Sequence, residues 1–339
     1  MKKKIVLSIS VSIIIVLFAV AIGSVYIAPM DIVRVIGHKL FGQELPIDFD
    51  TTQVAIIWSL RLPRAFLAFI VGAMLSVSGA IMQSVLKNSL ASSYTLGVSS
   101  GASLGAGIVF LFGVTIPFLG IFSLPIMGFL FGLGTIVLVI SFALKIGGGL
   151  ENNTIILSGM VISLFANALV TLMSAISREQ IQRLIFWQMG SFASKDWLTV
   201  GILLVLAVVG VIYMAHYHQE MDMLTFGEEQ AQAMGVNTKS VKWILLITAA
   251  AMTGSAISFV GVIGFVDLVA PHIVRKVFGS AHRYVIPMSA VWGGSFMVVC
   301  DLVARTVVPQ QEIPVGAVTA LIGAPFFAYI YFSKRARVR

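Results

Sequence analysis

Asp267 is the residue whose position most suggests a chemical role, because it lies within an apolar run at 263–277. Ionising a carboxyl group in such surroundings costs several kcal/mol, so an acid kept there is a candidate for binding a substrate or an ion. The alternative is a structural carboxyl group that is paired or protonated. We favour the structural role, since no second acid is clearly as deep in an apolar run.

The sequence contains no arrangement typical of an enzyme. No motif combines the nucleophile, base and orienting group of a hydrolase, so we expect no catalysis. The one close pair among five histidines, His216 and His218, does not share a helix face, and we expect neither a metal site nor a cofactor. The single cysteine, Cys300, excludes an intrachain disulfide. No lysine follows a glycine, so the phosphate-binding loop G-x-x-x-x-G-K-S/T is absent, and any ATP must bind to another chain.

The composition identifies the class of protein that must position these residues. Hydrophobic residues make up 58% of the 339 and charged residues 11%, with a mean hydropathy of +1.01. Because a soluble domain carries about 25% charged residues, this chain cannot cover itself with a polar surface. The formal net charge is +8, but the basic residues are scattered at the ends of apolar runs rather than clustered among aromatic residues. We therefore expect a membrane protein that does not bind nucleic acid.

Apolar runs long enough to cross a membrane recur along the whole chain. They fall near residues 5–27, 62–84, 94–112, 118–144, 154–176, 197–215, 240–260, 263–277, 284–305 and 314–332. The third run is rich in glycine and the eighth is short, so both are candidates for broken or partial helices, which are tolerated when protein buries them. We predict an all-α polytopic protein with about ten transmembrane helices, forming one transmembrane domain over residues 1–339.

The distribution of basic residues predicts the orientation. The first run is longer than the ~7–15 apolar residues of a cleavable signal peptide, so we expect a retained helix whose lysines Lys2, Lys3 and Lys4 lie inside. Ten crossings then bring a second basic cluster inside: Lys334, Arg335, Arg337 and Arg339. On this threading fourteen of the 22 Lys and Arg residues face inside, in agreement with the positive-inside rule. Both termini are therefore expected in the cytoplasm.

Segment 216–242 is a long polar interruption that this threading places in the cytoplasm. Glu228 and Glu229 are adjacent, with no cationic residue beside them, so the segment should not cross the bilayer core. Wound as a helix, it places five residues on one apolar arc: Met223, Phe226, Gly227, Ala231 and Met234. We expect short helices, punctuated at Gly227 and Gly235, that present this ridge to another protein. A solvated loop between two spans is the alternative.

Glycine recurs at every fourth residue at Gly97, Gly101 and Gly105. A helix with hydrogen along one face lets a neighbouring backbone approach closely, and the serines between can bond across the interface. Close helix packing is the favoured interpretation, and contact with a ligand is the alternative.

A series of motifs, taken together, resembles one known family. They are 61-RLPR-64, 72-GA-73, 78-SGAIMQ-83, 88-NSLA-91, 96-LGVSSGA-102, 157-LSG-159, 187-WQMGS-191, 234-MGV-236, 261-GVIGF-265, 268-LVAPHIVR-275, 282-HR-283, 301-DLVAR-305, 312-EIPVGAVT-319 and 323-GAPF-326. In order and spacing they are similar to the FecCD-type permeases of binding-protein-dependent ABC importers, over nearly the whole chain. Two departures are Ser89, where the family usually has proline, and Asp267, where it commonly has glycine.

The resemblance implies an assembly in the bacterial cytoplasmic membrane. It implies a permease domain of ten helices, a second identical or homologous permease subunit, two cytoplasmic ABC ATPases, and an external substrate-binding protein. Segment 216–242 would hold the coupling helix that docks on the ATPase, through Met223, Phe226, Gly227, Glu228, Ala231, Met234 and Gly235. Asn88 and Leu90 would lie at the inner mouth as gate candidates.

The resemblance also gives a role to three arginines predicted at the outer rim, Arg61, Arg64 and Arg305. Matching arginines in this permease type meet acidic residues of the binding protein, and a guanidinium group suits that task because it grips a carboxylate with two parallel bonds. Anchoring to membrane lipid phosphates is the alternative role for these arginines.

The cargo of this permease type is an iron chelate, haem or cobalamin, and we expect a ferric siderophore, with haem or cobalamin as the alternatives. Two other classes of function are an ion-coupled transporter that uses Asp267 and a membrane scaffold without transport.

Overall fold

The computed structural model describes residues 1–23, 26–46, 49–147, 150–176, 180–308 and 311–336, with the backbone alone at 147 and 330–336. Its α-helices are α1 Lys2–Ala21, α2 Pro29–Phe41, α3 Thr51–Ala55, α4 Leu62–Val85, α5 Val98–Phe112, α6 Ser123–Gly147, α7 Asn152–Ile176, α8 Ile181–Gln188, α9 Trp197–His216, α10 His218–Phe226, α11 Glu228–Ala233, α12 Thr238–Val260, α13 Val266–Phe278, α14 His282–Thr306 and α15 Val315–Ala336. A π-helical turn, Ile56–Arg61, joins α3 to α4, and a 3-10 turn, Gly120–Phe122, precedes α6. The described part of the chain contains no strand.

Each of the ten predicted apolar runs contains a helix. Within the described residues, seven helical segments are long and apolar enough to cross a membrane: α1, the continuous segment Thr51–Val85, Gly120–Ile146, α7, α9, α12 and α14. The other runs correspond to shorter helices: α5 and the Val315–Tyr329 part of α15 are apolar, and α13 has 13 residues that include Asp267, Arg275 and Lys276. Helix α4 begins at Leu62, where the second apolar run is predicted to start, and the π-helical turn and α3 extend it back to Thr51. Arg337 and Arg339 lie outside the described residues, as do the side chains of Lys334 and Arg335.

Helix α4 is the centre of the bundle and packs against α14, α12, α13 and α9. Small residues explain how it reaches so many neighbours. A Cβ atom on Gly72 would lie 2.3 Å from the carbonyl oxygen of Gly293 in α14. A Cβ atom on Gly79 would lie 2.0 Å from the carbonyl oxygen of Asp267 in α13. Glycine at these positions is what allows the helix backbones to touch.

The glycine repeat of α5 packs against α6, as the sequence predicts. A Cβ atom on Gly101 would lie 2.5 Å from the carbonyl oxygen of Phe131, and one on Gly105 would lie 2.4 Å from that of Met127. Both contacts would be steric clashes for any other residue, so the stripe serves close helix packing.

Helix α1 runs beside α14 in the same direction. Lys4 Nζ donates to the carbonyl oxygen of Val277 (3.1 Å), Trp292 Nε1 donates to Ser8 Oγ (3.2 Å), and the far end of α1 meets Arg305. The start of α1 therefore lies at the same end of the bundle as the start of α14 and α10. We call this end the loop face, and the opposite end, which holds Arg61, Arg64 and Arg305, the arginine face.

Candidate functional site

Arg64 is the centre of an ion-pair cluster on the arginine face. Its Nε and Nη2 atoms donate to Asp301 Oδ1 at 3.0 and 2.9 Å, and its Nη1 atom donates to Glu312 Oε1 at 2.6 Å. Only 3% of the Asp301 side chain is exposed, against 49% for Glu312. Arg305 Nε lies 3.7 Å from Asp301 Oδ2, an ion pair between residues one helical turn apart. A buried carboxylate is tolerated because two guanidinium groups face it.

Arg61 and Arg305 also bind the end of α1. Arg61 Nη1 donates to the carbonyl oxygens of Val20 and Ala21, both at 3.0 Å, and Arg305 Nη2 donates to that of Ala19. These carbonyls belong to the last turn of a helix, where no intrahelical N–H is available and where the helix dipole is negative. The π-helical turn Ile56–Arg61 directs Arg61 inward, so that only 6% of the residue is exposed.

The three arginines therefore lie together at one end of the bundle, but they are not exposed side chains. All three are buried or nearly so, since acids and main-chain carbonyls of the same chain hold them. They nevertheless line a cavity of about 680 Å³ that opens at this face, together with Lys195, Asp196 and Glu312. More basic than acidic side chains line the cavity, so its charge favours the binding of an anionic group.

Asp196 caps α9 at the edge of this cavity. Its Oδ1 atom accepts from the main-chain N–H of Thr199 at 2.9 Å and from the Thr199 hydroxyl at 2.7 Å. The hydroxyl and main-chain hydrogen bonds from Thr199 lower the pKa of Asp196. Burial lowers the pKa of the adjacent Lys195. The carboxylate of Asp196 is thus held charged at the start of a membrane-spanning helix, where it suits the dipole.

On the loop face, segment 216–242 forms two short helices with a break at Gly227, as the glycine signals predict. Gly227 has a φ of 137° and Gly235 a φ of 90°, both outside the range that other residues commonly adopt. Phe226 is 75% exposed and Met234 49% exposed. Both apolar side chains are available to a partner.

The prediction of a single apolar ridge is wrong, because the break at Gly227 separates its residues into two helices. Ala231 is fully buried, and Met223 packs against the bundle core. In the described structure Ala231 therefore contributes to the attachment of α11 rather than to a docking surface. Phe226 and Met234 are what remains of the predicted ridge.

Glu228 has a cationic partner that sequence adjacency does not reveal. Lys242 Nζ, on a residue that is 1% exposed, donates to Glu228 Oε1, to the carbonyl oxygen of Leu150 (2.8 Å) and to Asn152 Oδ1 (2.7 Å). Through Lys242, Glu228 connects α11 to the segment between α6 and α7. Its primary contact is thus internal, although 39% of its side chain is exposed.

A second tie on the loop face joins α10 to α14. Asp222 Oδ1 accepts from the main-chain N–H of His282 at 3.0 Å and lies 2.6 Å from His282 Nδ1. On the other side of the ring, Nε2 lies 2.6 Å from Ser84 Oγ. Asp222 and Ser84 could not be matched to His282 from the sequence, because 60 and 198 residues respectively separate them from it. An acid in the middle of a short cytoplasmic helix carries no signal of this pairing.

The two predicted gate residues lie in the turn that follows α4. Asn88 Oδ1 accepts from the main-chain N–H of Leu90 at 2.9 Å, which closes a tight turn, and Leu90 is 42% exposed. A cavity of about 660 Å³ brings Asn88 together with Asp222, Phe226 and His282. The structure therefore places Asn88 beside the exposed end of α10.

Asp267 lies in the first turn of α13 and is 2% exposed. Neither oxygen of its carboxyl group has a hydrogen-bond partner among the described residues, and neither does the buried hydroxyl of Tyr94. Its main-chain carbonyl accepts from Gln83 Nε2 at 3.1 Å. No partner of the carboxyl group is found in the described part of the chain, so of the two structural alternatives, paired or protonated, the geometry does not favour pairing.

Comparison with known proteins yields a family match over residues 11–333, to the FecCD transport family. The chain is 37% identical over 315 residues to an uncharacterized ABC transporter permease of Bacillus subtilis, YvrB, covering 93% of this chain and 89% of the relative. It is also 37% identical over 294 residues to the cobalamin import permease BtuC of Halobacterium salinarum, covering 86% and 78% of the two chains.

A solved structure shares this fold over nearly its whole length. It is an inward-facing conformation of an ABC transporter assigned provisionally to the metal-chelate type. The TM-score is 0.83 at 29% sequence identity, with 98% of this chain and 99% of the other covered.

Proposed function

The chain belongs to the FecCD transport family, whose members are ABC importer permeases, and we propose that it carries a ferric siderophore across a bacterial cytoplasmic membrane. A separate pair of ABC ATPases supplies the energy, an external binding protein delivers the cargo, and a second permease subunit completes the pathway. The family match over residues 11–333 supports the transport role. The absence of a phosphate-binding loop from the sequence supports a separate ATPase.

The proposal that an ATPase binds here is supported by the exposed apolar residues at the ends of α10 and α11. Phe226 and Met234 expose large apolar surfaces on the loop face, where a polar segment would otherwise be expected to face water. They lie at the same end of the bundle as the N-terminal lysines, which the positive-inside rule assigns to the cytoplasm. An ATPase groove that accepts an aromatic side chain fits this surface. Asn88 and Leu90 are the gate candidates at the same end.

The arginine face is the proposed docking site of the binding protein, in a form changed by the geometry. Arg64 is held by Glu312, whose side chain is 49% exposed and can exchange with an incoming carboxylate. The buried pair with Asp301 stays in place during such an exchange, so Arg64 acts as a pre-oriented receptor. Lipid phosphates are the competing ligand, because they share the charge and the bidentate geometry of a carboxylate.

The cargo proposal rests on the chemistry of the cargo named for two similar proteins. Cobalamin, named for the archaeal permease, is a bulky metal chelate, and the solved neighbour is assigned to the metal-chelate type. A ferric siderophore has the same overall character and is a common cargo of the family. Cobalamin and haem are therefore the alternatives that a direct assay must separate.

The test is uptake into proteoliposomes that contain the permease with its ATPase, in the presence of the binding protein. ATP-dependent accumulation of an ⁵⁵Fe-labelled siderophore, undiminished by excess cobalamin or haem, is the expected result. Accumulation of ⁵⁷Co-labelled cobalamin instead would change the cargo and keep the mechanism. Uptake that persists without ATP and collapses with an ionophore would contradict the importer assignment.

An ion-coupled transporter is the alternative that Asp267 favours, and one variant separates it. Asp267→Asn keeps the shape of the side chain and removes its ability to ionise. If the carboxyl group is structural, ATP-dependent uptake should stay within a few-fold of the wild type. Complete loss of uptake at normal protein level, together with loss of its pH dependence, would instead assign the coupling to Asp267.

A further inference from the structure

The loop face holds a hydrogen-bonded chain that crosses four helices. It begins at Asp222 in α10, continues through His282 at the start of α14 and Ser84 near the end of α4, and reaches Arg275 in α13. Arg275 Nη2 donates to Ser84 Oγ at 3.0 Å and to the carbonyl oxygen of Ala80 at 2.8 Å. Every connection joins a different pair of helices or binds the α4 backbone.

The first link attaches α10 to the beginning of α14. Asp222 accepts the main-chain N–H of His282, one of the first-turn donors that a helix cannot satisfy internally. Most helices receive such a cap from the residue that precedes them, but here the carboxylate comes from another helix. The cap of α14 is therefore retained only while α10 stays in place.

The second link attaches the histidine ring to α4. Ser84 has one hydroxyl hydrogen and two nearby acceptors, the carbonyl oxygen of Ala80 at 2.9 Å and His282 Nε2 at 2.6 Å. If Ser84 donates to the ring, His282 is neutral and gives its Nδ1 hydrogen to Asp222. If Ser84 donates to Ala80, the ring carries both hydrogens and is cationic. Asp222 and Ser84 remain connected in both cases.

The third link reaches the helix that holds the buried acid. Arg275 Nη1 donates to Gln83 Oε1, and Gln83 Nε2 donates to the main-chain carbonyl of Asp267 at 3.1 Å. Gln83 is 5% exposed, so a displacement of Arg275 cannot be absorbed by solvent at this point. Helices α4 and α13 also touch directly at Gly79, and they should move as one body.

Asp222, where the hydrogen-bonded chain begins, lies next to the proposed ATPase contact. Asp222 and Phe226 are four residues apart in α10, on the same face of the helix, and both line the 660 Å³ cavity. A force applied at Phe226 therefore reaches Asp222 within one helical turn.

We propose that Asp222, His282, Ser84 and Arg275 are positioning residues that transmit movement of α10 to α4, α13 and α14. The inference rests on the proposed function, since it assumes an ATPase that moves α10. It assigns no contact with cargo or nucleotide to these four side chains. They act through the helices that they connect.

The test separates docking, hydrolysis and transport in the reconstituted complex. Asp222→Ala and His282→Ala should bind the ATPase and hydrolyse ATP as the wild type does, while cargo moved per ATP falls on the order of ten-fold. Asp222→Ala removes every contact of α10 with residue 282, whereas His282→Ala removes the ring and keeps the main-chain N–H. The double variant should therefore lose no more than Asp222→Ala alone. Asp222→Asn keeps an oxygen acceptor for the His282 N–H and should recover part of the loss.

Asp50→Ala is the matched control. Asp50 also accepts a main-chain N–H at a helix start, from Thr52 at 2.8 Å, but it caps α3 from the adjacent residue. Among the described residues, its side chain bonds to no second helix. It should keep the wild-type ratio of transport to hydrolysis. If His282→Ala fails to assemble, His282→Gln serves in its place, because its amide supplies one bond rather than two.

Two results would overturn the inference. One is a wild-type ratio of transport to hydrolysis in both single variants with the ATPase bound. The other is a double variant whose loss is the product of the single losses, which would mean that the two residues act independently. If the wild-type permease bound no ATPase at all, the proposed function would fail instead, so the two failures are distinguishable.

Discussion

The two ends of the bundle use charged residues in opposite ways. On the arginine face, contacts within the chain hold Arg61, Arg64 and Arg305, through Asp301, Glu312 and the end of α1. On the loop face, polar contacts attach α10 and α11 to the bundle but leave Phe226 uncovered. The ion pairs of the arginine face hold that end of the bundle rigid. The contacts of the loop face instead connect the exposed surface of α10 to the helices of the bundle, so that a movement of α10 displaces them.

The difference shows why exposure cannot be inferred from charge alone. The positive-inside rule disfavours arginines on the outer side of a membrane, so their presence there requires an explanation. Part of that explanation is that these arginines hold helices of the same chain together. A guanidinium group has five donors, enough to cap a helix end and hold a carboxylate at once. The following predictions rank the charged contacts of the two faces by their expected effect on stability, from the largest to the smallest.

Arg64→Ala should be the most damaging of these changes, because it leaves Asp301 buried with Arg305 Nε at 3.7 Å as its nearest cation in the described structure. Removal of one partner of a buried pair costs about 3–5 kcal/mol. Denaturant unfolding in detergent should show this loss. Arg34→Ala, which breaks an exposed pair with Asp31, is the control and should cost less than about 1 kcal/mol.

A double change distinguishes pairing from packing on the arginine face. Arg64→Met combined with Asp301→Asn removes both charges of the pair and leaves an amide facing Arg305, so it should recover part of the stability lost in Arg64→Ala. A double variant as unstable as the single one would mean that the arginine stabilises this face through its shape.

Lys242→Met should have a smaller effect on the loop face. It removes the donor for the Leu150 carbonyl and for Asn152, at a cost of about 1–3 kcal/mol, while Glu228 can turn to solvent. Lys239→Met, at an exposed lysine in the same helix, should leave the unfolding midpoint unchanged. A loss as large as that of Arg64→Ala would show that the loop face is as tightly closed as the arginine face.

Asp196→Ala removes a local helix cap and should cost about 1 kcal/mol. The pKa of Asp196 is depressed in the folded protein by the Thr199 hydrogen bonds, so its contribution is present above the ordinary pKa of aspartate, about 3.9. The contribution is lost as the pH falls through the lower folded pKa. The difference in unfolding midpoint between variant and wild type should therefore persist at neutral pH and shrink below pH ~4. A constant difference over that range would exclude the charge as its cause.

Features set by local sequence could be predicted well. The glycine stripe of α5, the breaks at Gly227 and Gly235 and the helical content of the ten apolar runs follow from residue type and spacing alone. The pairing of Asp301 with Arg305 also follows, since i and i+4 positions meet on any helix.

Features set by contacts between distant helices could not. The inward direction of Arg61 depends on a π-helical turn that no motif announces, and the burial of Ala231 depends on how α11 sits against the bundle. The partners of Glu228 and His282 come from other helices. Periodicity identifies an apolar arc but gives no sign of which half of it the fold will cover.

Binding of the ATPase to Phe226→Asp tests the account most directly. The side chain is 75% exposed, so the change should leave the unfolding midpoint in detergent within the range of a neutral surface substitution, about ±0.5 kcal/mol. Placing a charge in an apolar contact should abolish co-purification of the ATPase, while Leu40→Asp, at an exposed apolar residue of α2, should retain it. A stable Phe226→Asp permease that still binds its ATPase with wild-type affinity would contradict the assignment of the loop face as the docking surface.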